Sequence, residues 1–216
     1  MSQRNMVVHL AGSVLDCACH ACAFFHSREE ENRVLLPFAK EGIEAGDKIV
    51  HILDREYAQE RRRSLTDAGI DLAVAEQGGQ IDFRPWEEAH LTGGYFEMNK
   101  MLNLVDELLT GSKGQGFGLT RIWANMEWAA PPNVPGRHEI VEYESRLNYV
   151  LPKHGDVVVC TYDVNKFSAP LLIDIMRTHP QVIIGGILQE NPFYVPPDQL
   201  LEELRSRNRE AGAPRG

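Results

Sequence analysis

Residues 156–162 read DVVVCTY and residues 181–188 read QVIIGGIL. Neither run alternates apolar with polar positions, as a strand with one face in water would. Near-continuous apolar runs of this length instead imply strands buried on both faces, which is the habit of parallel sheets. Outward from these two runs, residues 48–53 (KIVHIL), 80–84, 119–126 and the short apolar run 22–25 read as further strands, with 182–188 as the last.

Helical patterns separate them. Ser27-Arg28-Glu29-Glu30 reads as a capping box, with Val34, Leu35, Phe38 and Ala39 on one face of the helix it opens and an end near Gly42 or Gly46. A polar helix over 55–68 stops at Gly69. Met98, Met101, Leu102, Val105, Leu108 and Leu109 make the clearest helical stripe. Ile140, Leu147 and Leu151 mark the next helix, and Phe167, Leu171 and Ile175 another. After Pro192, Pro196 and Pro197 comes a polar terminal helix around Leu200, Leu201 and Leu204. Strand–helix alternation from end to end predicts an α/β fold of three layers, a mostly parallel sheet with helices on both faces. The expected organisation is one domain over 1–216, with a core of about 20–204 and a polar helix and tail over 197–216.

The chain has 216 residues, 43% of them hydrophobic, and a formal net charge of −9. An acidic balance with dispersed basic residues argues against direct nucleic-acid binding. The one basic run, Arg61-Arg62-Arg63, reads as a solvated helix face. No stretch suits a bilayer and the N-terminus has no signal-peptide pattern, so the expected compartment is the cytoplasm.

In such sheets ligands sit at the carboxyl ends of the strands. Reading past each strand gives Phe25, His26 and Ser27, then Asp54, then Trp86, then Glu127-Trp128, then Tyr162-Asp163. Carboxylates beside large rings suit the orientation and burial of a small organic ligand, which requires a concave pocket near Glu127 and Trp128. Asp54 and Asp163 are read equally well as helix caps. Glu144 falls between Ile140 and Leu147 at helical spacing, so it faces inward with Asn148 one turn on. A buried carboxylate needs a partner, and either a structural pair with Asn148 or a ligand would supply one. His179 closes a helix, where the dipole favours it.

Cys17, Cys19, His20 and Cys22 crowd into six residues, the pattern of a thiol or metal site. An extended strand, however, turns His20 and Cys22 one way and Cys19 the other, which works against one ion collecting them all. Metal at Cys19, His20 and Cys22 is therefore carried as an alternative to ligand lining. An enzyme with Glu127 or Glu144 as general base and Cys22 as nucleophile is a third reading. No phosphate loop of the form GxxxxGK[ST] occurs, and no catalytic triad can be placed. The run Gly111, Gly114, Gly116, Gly118 follows a helix and precedes a strand, so it is read as a flexible connection.

Taken together, residues 20–54, TRIWANMEW (120–128), EYESRLN (142–148), VVVCTYD (157–163), RTHPQVIIGG (177–186) and ENPFYVPP (190–197) resemble the MEDS family of methanogen and methylotroph sensory domains. The resemblance implies a RecA/KaiC-like scaffold without a functional phosphate loop, and hence no nucleotide. It implies a small organic ligand, in prokaryotic signal transduction, read by His20, Cys22, Glu127, Trp128, Glu144, Tyr162, Asp163 and His179, to which the strand ends add Phe25 and Trp86. The output would pass to a separate kinase or transcription regulator. A homodimer through the terminal segment is compatible with the sequence.

Overall fold

The computed structural model describes residues 7–15 and 18–212; Cys17 of the cysteine cluster and residues 213–216 of the tail lie outside the described residues. A short antiparallel pair, β1 (Val8–Leu10) and β2 (Ser13–Leu15), precedes the main sheet. That sheet has seven strands: β3 (Cys19–Phe25), β4 (Lys48–Leu53), β5 (Ile81–Pro85), β6 (Thr120–Asn125), β7 (Val157–Asp163), β8 (Gln181–Ile184) and β9 (Ile187–Glu190). Their spatial order is β5-β4-β6-β7-β3-β8-β9, all parallel except the edge pairing of β8 with β9.

Two hydrophobic layers flank the sheet, as continuous apolar strands demand. On one face Cys22, Val50, Ile122, Ala124, Val158 and Cys160 pack with α4 (Met98–Gly114), α5 (Ile140–Val150), α6 (Ala169–Met176) and α7 (Pro197–Gly212). On the other, Ala21, Ala23, Phe25, Ile49, Trp123 and Val159 pack with α1 (Arg28–Ala45), α2 (Arg55–Asp67) and α3 (Leu72–Gln77). Because side chains alternate along a strand, one register decides both layers. In β3 it sends His20, Cys22 and Phe24 toward α5 and Cys19, Ala21, Ala23 and Phe25 toward α1.

The chain leaves β3 through α1 toward β4, and leaves β7 through α6 toward β8. The connections of these adjacent strands thus run to opposite faces and opposite flanks, which makes the carboxyl ends of β3 and β7 the topological switch point.

Several expectations are corrected. The last strand is two: Gly185 and Gly186, at φ of 60° and 76°, fold 182–188 into a β8–β9 hairpin. Two consecutive positive φ values are what a tight two-residue hairpin turn requires, and glycine meets them without strain. The glycine run at 111–118 is not a free connection, because α4 continues to Gly114. Arg61 is not on a solvated face; it is buried, with its guanidinium 3.1 Å from the centroid of the Trp123 ring and 3.3 Å from Glu31. The elements β1, β2 and α3 carry no pattern strong enough to announce them.

Candidate functional site

Five of the sequence-derived residues meet, but in the middle of the sheet and not at its edge. His20, Glu144, Cys160 and His179 present one donor atom each, all within 4.8 Å of one another and all buried. Tyr162 and Cys22 flank them on the same face.

Each is placed by a separate element. α5 carries Ile140, Tyr143, Glu144 and Leu147 on its inner face, so the spacing that buries the helix also buries a carboxylate. Alternation along β7 puts Cys160 and Tyr162 on the same side, beneath α5. The parallel register sets Cys22 beside Cys160 and His20 one pleat earlier. His179 lies just after α6, where Asn191 Nδ2 donates to its carbonyl at 2.8 Å.

Glu144 is fully buried, and an uncompensated carboxylate there would cost several kcal/mol. Tyr162 donates its hydroxyl to Oε1 at 2.6 Å. Oε2 faces His20 Nε2 and His179 Nε2, each at 3.4 Å, and the Cys160 thiol at 3.6 Å. Burial opposes the charge on Glu144, but His179 and His20 outweigh it and hold the carboxyl well below its usual range. Burial likewise opposes a proton on His179, yet Cys22, Cys160 and Glu144 raise it well above an ordinary histidine. Burial and the neighbouring His179 lower His20. Burial and the Glu144 charge push the Cys160 thiol up to about 12.

Asn148 ties the cluster together. Its Nδ2 faces three carbonyls, those of Glu144 at 3.3 Å, Ser145 at 3.1 Å and Thr178 at 2.8 Å, so its Oδ1 is the atom 3.0 Å from His20 Nδ1. The expected pair of Asn148 with the Glu144 carboxylate is not formed; Asn148 serves His20 and the turn after α6.

The other candidates separate. Glu127 ion-pairs with Lys166, and Asp163 lies 3.7 Å from the same ammonium. Asp163 also caps its own turn through Asn165 N at 2.9 Å, and Asp54 caps α2 through Tyr57 N at 2.8 Å. Trp86 donates to the Asn125 carbonyl at 3.0 Å. Trp128 is buried with its ring stacked 4.5 Å from Phe96 and 5.2 Å from His90, so it walls the core and lines no open cleft. Phe25 belongs to the opposite layer, and so does Cys19, which therefore cannot share an ion with His20 and Cys22.

Two features were missed. Cys160 lies far from the other cysteines in sequence, and only the β3–β7 register reveals it. Glu31 is buried and accepts from Trp123 Nε1 at 2.7 Å, Tyr57 at 2.7 Å, Thr161 at 2.9 Å and Arg61 at 3.3 Å. Its place one turn into a capped helix, with a tryptophan on the neighbouring strand, was the available signal.

A pocket of about 420 Å³ opens at the switch point. Phe24, Val164, Leu172, Ile173, Met176 and Ile184 line it, with His26 and Glu30 at its polar side. It stands one ring above the buried cluster, since Phe24 and Tyr162 have centroids 5.9 Å apart. This pocket does not adjoin Glu127 and Trp128, beside which one was anticipated; it lies on the flank of β3 and α6.

An α/β sheet of this order has the RecA-like fold seen in KaiC-like proteins. The chain is similar to the KaiC-like protein PH0186 of Pyrococcus horikoshii OT3, with a TM-score of 0.55 and 16% identity over 77% of this chain and 70% of that one. Within that fold the family is specific: residues 19–180 match MEDS, the methanogen/methylotroph, DcmR sensory domain, and the chain belongs to this family. The transcriptional repressor DcmR of Methylorubrum extorquens (strain DSM 6343 / CIP 106787 / DM4) is 24% identical over 161 residues, covering 74% of this chain. The match spans 57% of that repressor's length. Among the described residues no helix is long and apolar enough to cross a membrane.

Proposed function

We propose that the chain is a sensory module that takes a small, largely apolar organic molecule into the pocket at the switch point and passes the change to a separate regulator. The observation that carries this reading is the pocket itself: six apolar side chains and one polar flank, at the place where open α/β sheets bind ligands. The membership of a sensory family and the likeness to a repressor support a regulatory output, with a transcription regulator or kinase as the receiving partner.

The first turn of α1 supports a fold that has given up nucleotide. Ser27 accepts from Glu30 N at 3.2 Å, and Glu30 turns back to His26 N at 2.8 Å, so two amides at that turn are already bonded to its own side chains. A phosphate arriving there would meet Glu29 and Glu30 and, beneath them, the carboxylate of Glu31 held by Arg61. Phosphate cradles need the reverse, free amides and a cation.

Short-chain alcohols and chloroalkanes are the natural probes. Titrated into the chain and followed by ligand-detected NMR and Tm, the best of them should bind saturably and raise Tm with concentration. Ile173→Lys places a charge on the exposed flank of the pocket and should abolish the response while leaving the fold intact. No saturable binding by any probe, or an unchanged response in Ile173→Lys, refutes the reading.

A further inference from the structure

The geometry points to a divalent transition-metal ion, zinc by its chemistry, held by His20 Nε2, His179 Nε2, Glu144 Oε2 and Cys160 Sγ. The centre stands on the arrangement of these four atoms; its use as the element that a bound ligand perturbs rests on the sensory reading above.

Spacing is the first argument. Four donors around tetrahedral zinc, at about 2.0–2.1 Å for nitrogen or oxygen and about 2.3 Å for sulfur, stand roughly 3.3–3.6 Å from one another. Here the edges from Glu144 Oε2 are 3.4 Å to His20, 3.4 Å to His179 and 3.6 Å to Cys160. The edge from Cys160 Sγ to His20 Nε2 is 4.0 Å. Three of the six edges, all from Glu144 Oε2, thus fall at tetrahedral lengths, and the four donors, from four segments, lie within 4.8 Å of one another.

Tautomers are the second. The Asn148 amide is oriented by three carbonyls, so Oδ1 faces His20 and His20 Nδ1 must carry the hydrogen. His179 Nδ1 faces the Ile175 carbonyl at 3.0 Å, and the Thr178 hydroxyl at 2.8 Å, whose own hydrogen goes to that same carbonyl. Nδ1 is again the donor. Nε2 of each ring therefore faces a carboxylate oxygen, and a cation must lie between them: either a proton on the ring, as the raised proton affinity of His179 allows, or a metal ion shared by all four donors. His179 is fully buried and its Nε2 has no hydrogen-bond partner among the described residues.

The surroundings are the third. A metal-bound histidine characteristically donates its other nitrogen to a carbonyl or amide oxygen, and a metal-bound carboxylate is hydrogen-bonded on its free oxygen. Asn148, the Ile175 carbonyl and Tyr162 supply all three of these contacts. A mixed set of two imidazoles, a thiolate and a carboxylate suits Zn²⁺ and Co²⁺ and does not suit Mg²⁺ or Ca²⁺. The thiol proton and the second proton of His179 are released to solvent when the metal binds.

The test needs no ligand, so it fails or succeeds apart from the sensory reading. Chain prepared without a polyhistidine tag and stripped with a chelator is titrated with Co²⁺ and followed in the visible and near ultraviolet. The expected result is stoichiometric growth of the d–d bands of tetrahedral Co²⁺ together with a thiolate-to-metal charge-transfer band, both abolished by Zn²⁺. Cys160→Ser should lose the charge-transfer band, and Cys19→Ala, on the far face of the sheet, should keep it. His179→Gln should weaken binding by more than the roughly 10–100-fold that losing a hydrogen-bond partner of a metal ligand brings. Circular dichroism checks that each variant is folded; if one is not, the intensity of the charge-transfer band in the unaltered chain still counts the thiolate. Absence of saturable tetrahedral bands overturns the proposal in favour of a proton-bridged His–Glu cluster. So does a charge-transfer band that survives Cys160→Ser.

Discussion

His90 shows how a single residue can be costly to the fold. It is buried between Trp128, Phe96 and Tyr143, and neither ring nitrogen has a hydrogen-bond partner among the described residues. Burial lowers its pKa to about 4, with Glu144 opposing. The folded value lies below the unfolded one of 6.5, so the unfolded chain takes up a proton that the folded chain refuses. Stability is therefore intact above about pH 6.5 and falls as pH drops through 4, by roughly 3 kcal/mol in all. His90→Leu, similar in volume, should change stability by less than about 1.5 kcal/mol at pH 8, since lost ring stacking offsets the removal of unpaired nitrogens. Between pH 6.5 and 4 it should flatten the decline, leaving it more stable than the parent at pH 4.5. Urea unfolding at the two pH values measures this, and parallel declines would show that His90 is protonated in the fold. The same scale shows what a sequence conveys of a site. Spacing alone places Glu144 inward, because helical period is local. It cannot pair Glu144 with Cys160 or His179, since those contacts depend on strand order. Arg61 misleads for the same reason: its run of three arginines looks solvated until Glu31 and Trp123, from two other elements, are brought to it.

At the scale of elements, α5 is the piece that assembles the centre. Glu144 and Asn148 stand one turn apart on it, so one helix reaches both β3, through His20, and the turn after α6, through Thr178 and His179. Asn148→Leu removes the acceptor for His20 Nδ1 and strands the Thr178 carbonyl, at a cost of about 1–3 kcal/mol. It should also lower Co²⁺ affinity by roughly 10–100-fold, because His20 loses the contact that fixes its tautomer. Asn148→Asp keeps the acceptor and loses the donor. It should share the stability loss and retain the affinity, a split that a purely structural role for Asn148 would not produce. The helices and strands that surround α5 were legible where period and length agreed, as in α4 and β7. The hairpin of β8 and β9 was not, because an apolar run interrupted by two glycines reads as one buried strand until the positive φ at both glycines is seen.

At the scale of the whole molecule, alternation of strand and helix sufficed for the three layers, while the order of strands was beyond it, and order is what puts the pocket on the flank of β3 and β7. Order also links pocket to cluster. Phe24 lines the pocket and contacts the Tyr162 ring, and Tyr162 orients Glu144; Met176 lines it too, one residue after the carbonyl that holds His179. A molecule that displaces both Phe24 and Met176 would therefore act on two donors at once. If the pocket and the centre are coupled in this way, the coupling must be reciprocal: whatever factor the ligand imposes on metal affinity, the metal imposes on ligand affinity. Couplings of this kind typically amount to about 5–150-fold. Co²⁺ titrations with and without a saturating chloroalkane, and chloroalkane titrations with and without Co²⁺, should give the same ratio. Phe24→Leu keeps the pocket apolar and removes the ring that touches Tyr162, so it should bring that ratio toward unity while leaving each separate affinity within a few-fold of the parent. A ratio of unity in the unaltered chain would make the pocket and the centre independent sites, and the signal would then have to leave the pocket through the exposed face of α6 and β8.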